Sequence, residues 1–140
     1  MESTLLDNLG ISADLLLRGL SSLFVAILFI QSGLDKVINW KGEKAFYTSH
    51  FEKSILKGSV PLLMPVITIS ELAAGFLSGI GLLVYAFGGS TDLAILGMLL
   101  ANLSILQLFF GQRVAKDFAG AATLVPYFLV TLVGLYLYLG

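Results

Sequence analysis

The sequence predicts an all-α protein: an integral membrane four-helix bundle with a short amphipathic interfacial helix between its first and second spans. Three observations predict it. Hydrophobic residues make up 57% of the 140-residue chain and charged residues only 12%, against about 25% charged in a typical soluble domain. So much apolar surface cannot be hidden inside a soluble protein of this size. Four apolar runs, at about residues 15–38, 62–87, 93–111 and 118–139, each have roughly the 20 residues that a helix needs to cross a bilayer core. The runs are continuous rather than alternating, and in lipid such a run satisfies its backbone only as a helix. The whole chain, 1–140, reads as one membrane domain.

Span one follows an opening Met-Glu-Ser-Thr-Leu-Leu-Asp that has no basic n-region, so it reads as an uncleaved span rather than a signal peptide. Arg18 near its start fits an outer interfacial anchor. Gln31 and Asp35 are four apart and share a face, and Asp35 and Lys36 lie near its far end. The connection that follows is long and charged. Phe46, Tyr47, Phe51, Ile55 and Leu56 recur there at near-helical spacing, with Glu43, Lys44, Glu52, Lys53 and Lys57 between them. This predicts an amphipathic helix at about residues 43–57, lying on the membrane surface. Trp40 fits an interfacial anchor, and His50 a polar residue of the surface helix.

Span two carries Pro61 and Pro65. A helix from Val60 to Phe87 would be about 42 Å long, more than an untilted span needs. Proline suits a first helical turn, so the helix is expected to start between the two prolines. Gly75 and Gly79 form a G-x-x-x-G run that lets another helix approach. The tight turn Gly88–Asp92 then makes spans two and three an antiparallel hairpin. Span three carries Asn102 near its middle and Gln107 further on. After the short connection 112–117, Asp117 fits the N-cap of span four. Pro126 lies inside that span and is expected to free the carbonyl of Ala122 and kink the helix. Tyr85, Tyr136 and Tyr138 fit an outer aromatic belt.

Seven of the eight basic residues flank the first and third connections: Lys36, Lys41, Lys44, Lys53, Lys57, Arg113 and Lys116. Only Arg18 lies at the other side. The positive-inside rule places those two connections in the cytoplasm and both termini outside.

Glu71 is the most informative residue. It is the one charge in the apolar stretch from Val66 to Val84. Translocon scales put a central carboxylate at about +2.5 to +3.5 kcal/mol, so it is protonated, paired or set in a polar cavity. With a start near Pro65, Lys36 can bridge to Glu71; with a start near Val60 the gap is expected to be too wide. The alternative for Lys36 is to snorkel to the surface. Gln31, Asp35, Asn102 and Gln107 can line one polar pocket with Glu71, or serve as interhelical hydrogen bonds. The ligand- or proton-site candidates are therefore Glu71, Asp35, Lys36, Gln31, Asn102 and Asp117.

The chain has no cysteine and a single histidine. Disulfide, thiol and thiolate-metal chemistry are excluded within it, as is bis-histidine haem ligation in one copy. No nucleophile–base set, phosphate loop or metal-ligand cluster is visible, so no catalytic or metal residue is assigned. A net charge of −1 gives no reason to expect nucleic acid.

Four features occur together: Gln31-Ser-Gly-Leu-Asp-Lys-Val-Ile38 closing span one, the amphipathic connection, Glu71-Leu-Ala-Ala-Gly75 with Gly79-Ile-Gly81, and Lys116-Asp-Phe-Ala-Gly120 opening span four. The combination resembles the DoxX-like family of small four-span bacterial membrane proteins, whose members include the small subunit of a thiosulfate:quinone oxidoreductase. The resemblance implies a bacterial cytoplasmic-membrane protein that serves as a subunit or accessory of a quinone-linked oxidoreductase or stress-defence complex. It places Asp35, Lys36, Glu71 and Asp117 at the family's polar positions, and it implies a quinone and a protein partner subunit or homodimer beside the lipid bilayer. A non-catalytic scaffold or assembly subunit is the alternative, and a proton or small-solute carrier a more distant one.

Overall fold

The computed structural model describes residues 4–140, so the first three residues of the opening stretch lie outside it. It contains six helices: α1 (Thr4–Leu9), α2 (Ala13–Ile38), α3 (Trp40–His50), α4 (Val60–Ala86), α5 (Asp92–Val114) and α6 (Phe118–Leu139). Among the described residues there is no strand. Helices α2, α4, α5 and α6 are each long and apolar enough to span a membrane, and they form the four-helix bundle. Their outer surfaces carry Leu20, Ile27, Ile69, Phe76, Leu83 and Leu129, all exposed. Apolar side chains so widely displayed require a hydrocarbon solvent, which makes this a multi-pass membrane protein.

Helix α4 is central. It packs along α2 on one side and α5 on the other, and α6 closes the bundle mainly against α5. Small residues set both contacts. On α4, the residues Glu71, Ala74, Ser78 and Gly81 recur at steps of three and four and are all buried. Ser104, Ala101, Gly97 and Ala94 repeat the pattern on α5 and are buried as well. Gly81 lies against the backbone of Ala94, and Gly97 against the backbone of Ser78. These two rungs fix an antiparallel register that brings Ala74 level with Ala101 and Glu71 level with Ser104. On the other side, Gly75 meets the backbone of Ile30 and Phe29, and Gly33 meets Leu72. Without a hydrophobic drive between helices in lipid, such close backbone approach is what holds spans together.

Helix α4 begins at Val60, before both prolines, and not between them as the sequence suggested. Pro61 occupies the first turn, where a missing N–H has no consequence. Pro65, one turn in, lies inside the helix. The extra turn persists because protein covers it: Val60 and Met64 bury against Phe51, with Trp40, Tyr47 and Leu56 packed around them. The intervening helix is also displaced. Instead of spanning 43–57 it runs from Trp40 to His50, and the chain then turns. Phe51 must leave the helix to enter that small core. Ser54 donates to the carbonyl of Phe51 at 3.0 Å and accepts from the amide of Leu56 at 3.1 Å, local bonds that compete with helix continuation. Helix α1, short and without buried residues, had no sequence signal. Helix α6 continues through Pro126 to Leu139.

The glycines make a testable pair. Gly75→Val should force α2 and α4 apart and cost about 1–3 kcal/mol by overpacking, read as a lowered unfolding midpoint in detergent. Gly79→Ala should be tolerated, because its new Cβ meets only the Ala26 Cβ at an ordinary 3.5 Å.

Candidate functional site

Glu71 and Lys36 meet in the bundle interior. Glu71 is 0% exposed and Lys36 only 5%. The Lys36 Nζ lies 3.0 Å from Glu71 Oε1 and donates a hydrogen bond to Oε2 at 3.3 Å. It also donates to the Ser32 hydroxyl at 3.1 Å, one turn back on α2. Oε1 is the nearer oxygen and makes the charge contact, while Oε2 takes the hydrogen bond. Lys36 is therefore a buried partner and not a snorkelling one.

The pair forms although α4 starts at Val60, the case in which the sequence argument expected it to fail. The reason is direction. Helix side chains lean towards their own N-terminus. Because α2 and α4 are antiparallel, the Lys36 arm leans along the axis towards Glu71 while Glu71 leans back towards Lys36. Helix register, set by Gly33 and Gly75, decides the gap, and the position of the first turn of α4 does not.

One turn below Glu71, an apolar cavity of about 180 Å³ opens between α3, the start of α4 and the end of α5. Phe51, Leu63, Met64 and Ile67 form much of its wall. Its polar groups are Tyr47, Gln107 and Gln112. Gln107 donates to the Ser70 hydroxyl at 3.3 Å. Gln112 Oε1 lies 2.6 Å from His50 Nε2, which leaves its amide N–H groups for other partners. Tyr47 links the cavity to the ion pair. Burial pushes its hydroxyl above the usual 10.0, and both Lys36, lowering it, and Glu71, raising it, act on it electrostatically.

The other candidates separate. Gln31 and Asp35 do share a face of α2, but that face is exposed, so neither joins Glu71. Asn102 is buried and fully engaged between α5 and α6. Its amide donates to the carbonyls of Met98 at 2.8 Å and Thr131 at 3.1 Å, and it accepts from the Thr131 hydroxyl at 3.2 Å. That is an interhelical clamp. Asp117 caps α6, accepting from the Gly120 amide at 2.9 Å, and its second oxygen lies 3.7 Å from His50 Nε2. His50 thus ties α3 to the α5–α6 connection. Gln112 and Ser104 were not singled out in the sequence, although both belong to this end of α5.

At the opposite end of the bundle the aromatic belt is only partly present. Tyr136 is 72% exposed, but Tyr138 is buried and Tyr85 partly so. Both rings turn inward onto Arg18, whose guanidinium lies 5.2 and 5.3 Å from their centres. Arg18 donates to the Leu137 carbonyl at 2.8 Å and to the Tyr85 hydroxyl at 3.2 Å. At this end of the bundle it binds a terminal carbonyl of α6, where a cation also suits the helix dipole.

No protein-family model matches the chain, and neither a curated protein nor a solved structure matches it.

Two outcomes follow. Lys36→Met should cost about 3–5 kcal/mol by stranding a buried carboxylate, and the double variant Lys36→Met/Glu71→Leu should recover most of that loss, both read by thermal unfolding in detergent. For Tyr47, the raised hydroxyl means that the unfolded chain ionises first as pH rises above about 10. Stability should fall in that range, and Tyr47→Phe should remove this part of the fall.

Proposed function

We propose that this protein holds a quinone-class ligand under α3, as a subunit or accessory of a quinone-linked membrane oxidoreductase or stress-defence complex of the DoxX-like kind. The observation that carries the reading is the apolar cavity with amide and phenol groups at its edges, one turn from a buried ion pair. A quinone is a flat apolar ring with carbonyl acceptors and an apolar tail. The walls Phe51, Leu63, Met64 and Ile67 suit the ring and tail, while Gln107, Gln112 and Tyr47 supply donors. The Lys36–Glu71 pair supplies groups that take and return protons close by. With no cysteine and one histidine in the chain, electrons would come from a partner subunit that carries the redox centre. The basic residues around α3 favour an arrangement in a bacterial inner membrane with that end in the cytoplasm.

A specific observation favours the second reading, a non-catalytic scaffold. Neither Lys36 nor Glu71 is among the cavity's wall residues, and a fully enclosed ion pair can serve to fix helix register alone. Organic extraction of protein purified from its own membrane separates the two. The quinone reading expects a quinone in the extract, and its loss when Leu63→Trp fills the cavity while the unfolding midpoint holds. An extract free of quinone from a preparation that retains its lipids would leave the scaffold reading.

A further inference from the structure

Ser104 Oγ is buried without a hydrogen-bond partner, and Glu71 Oε1, held by charge to Lys36 Nζ at 3.0 Å, accepts no hydrogen bond. Both residues are 0% exposed. They belong to different helices, and the register set by Gly81 on Ala94 and Gly97 on Ser78 places them on the same rung of the α4–α5 seam. Seven residues, two helical turns, separate Ser104 from Gly97, so it shares the face that Gly97 turns towards α4. A serine hydroxyl is a donor and a carboxylate oxygen an acceptor, yet these two do not bond directly. Lys36 Nζ, 3.0 Å from the same Oε1, is a third polar group at this level. A buried hydroxyl left open in this way is destabilising, and a water with two to four polar partners is the usual remedy.

We infer that Lys36, Glu71 and Ser104 form an internal polar site that holds one hydrogen-bonding guest of water size between Oε1 and the Ser104 hydroxyl. The serine donates to the guest or accepts from it, and the guest donates to Oε1. Ser104 is then a positioning residue of the Glu71 site, and the guest hydrates the carboxylate. Hydration gives the carboxylate a proton-exchange partner other than Lys36. The inference is independent of any occupant of the cavity beneath α3, because the three groups come from the bundle seam.

Ser78 provides the internal comparison. Its hydroxyl is also buried and unpartnered, but its rung partner is Gly97, which offers no second polar side chain. The test compares Ser104→Ala and Ser78→Ala in lipid-reconstituted protein, together with a high-resolution structure from a lipidic mesophase. Ser78→Ala should leave the unfolding midpoint unchanged or raise it, since it removes an unpaired hydroxyl. Ser104→Ala should lower the midpoint, since it removes a bond to the guest, and the wild-type structure should show density within hydrogen-bond distance of both Oε1 and Ser104 Oγ. A raised midpoint for Ser104→Ala would overturn the inference. So would a structure in which the Ser104 hydroxyl bonds its own helix carbonyl with no density beside Oε1.

Discussion

A carboxylate cannot stay ionised inside an apolar bundle without a counter-charge, and the rest of this structure is arranged around that constraint. Lys36 reaches Glu71 because α2 and α4 run antiparallel at close range, and they run that close because Gly33 and Gly75 leave room for backbone contact. The same α4 presents Glu71, Ala74, Ser78 and Gly81 to a matching small-residue stripe on α5. One helix therefore holds the charge, its partner helix and the seam that encloses it. A pair buried in this way contributes little net stability over an apolar replacement, but it penalises any register that separates the two charges.

Polar groups occur at three levels along the bundle, and each does different work. At one end, Arg18 with Tyr85, Tyr138 and the Leu137 carbonyl closes the α2, α4 and α6 termini together. In the middle, Asn102 and Thr131 bolt α5 to α6, which is otherwise held less extensively than α4. At the α3 end, the polar groups instead surround open volume. Tyr47, Gln107 and Gln112 border the cavity, and His50 fastens α3 over it through Gln112 and Asp117. The first two sets are satisfied hydrogen-bond networks that fix helices. The third set keeps unused donors beside an apolar space, and that contrast is what directs the functional reading to the α3 end.

The spans were legible in the sequence because apolar runs of this length have one solution in lipid. Glu71 was legible because its cost is local, and Asp117 because an N-cap depends on neighbours three residues away. What the sequence could not give was which way a shared face points. Gln31 and Asp35 lie together, as their spacing requires, but the face turned towards α4 is the one that carries Gly33, which leaves those two outside. The contact of Tyr138 with Arg18 is hidden from the sequence because the two lie 120 positions apart in the chain. Ser104 does carry a sequence signal: Ala94, Gly97, Ala101 and Ser104 repeat the three-and-four spacing of Glu71, Ala74, Ser78 and Gly81 on the preceding span. Matching the two stripes in opposite directions pairs Ser104 with Glu71.

Lys36 and Glu71 form a direct ion pair in the bundle interior. Solid-state NMR of protein in bilayers, with 15N at the Lys36 side chain and 13C at the Glu71 carboxyl, measures it through their dipolar coupling. A direct pair with an N···O distance of 3.0 Å predicts a strong coupling between Nζ and the carboxyl carbon. Absence of coupling, with an ammonium signal that exchanges freely with bulk water, would place Lys36 at the surface and leave Glu71 without its counter-charge.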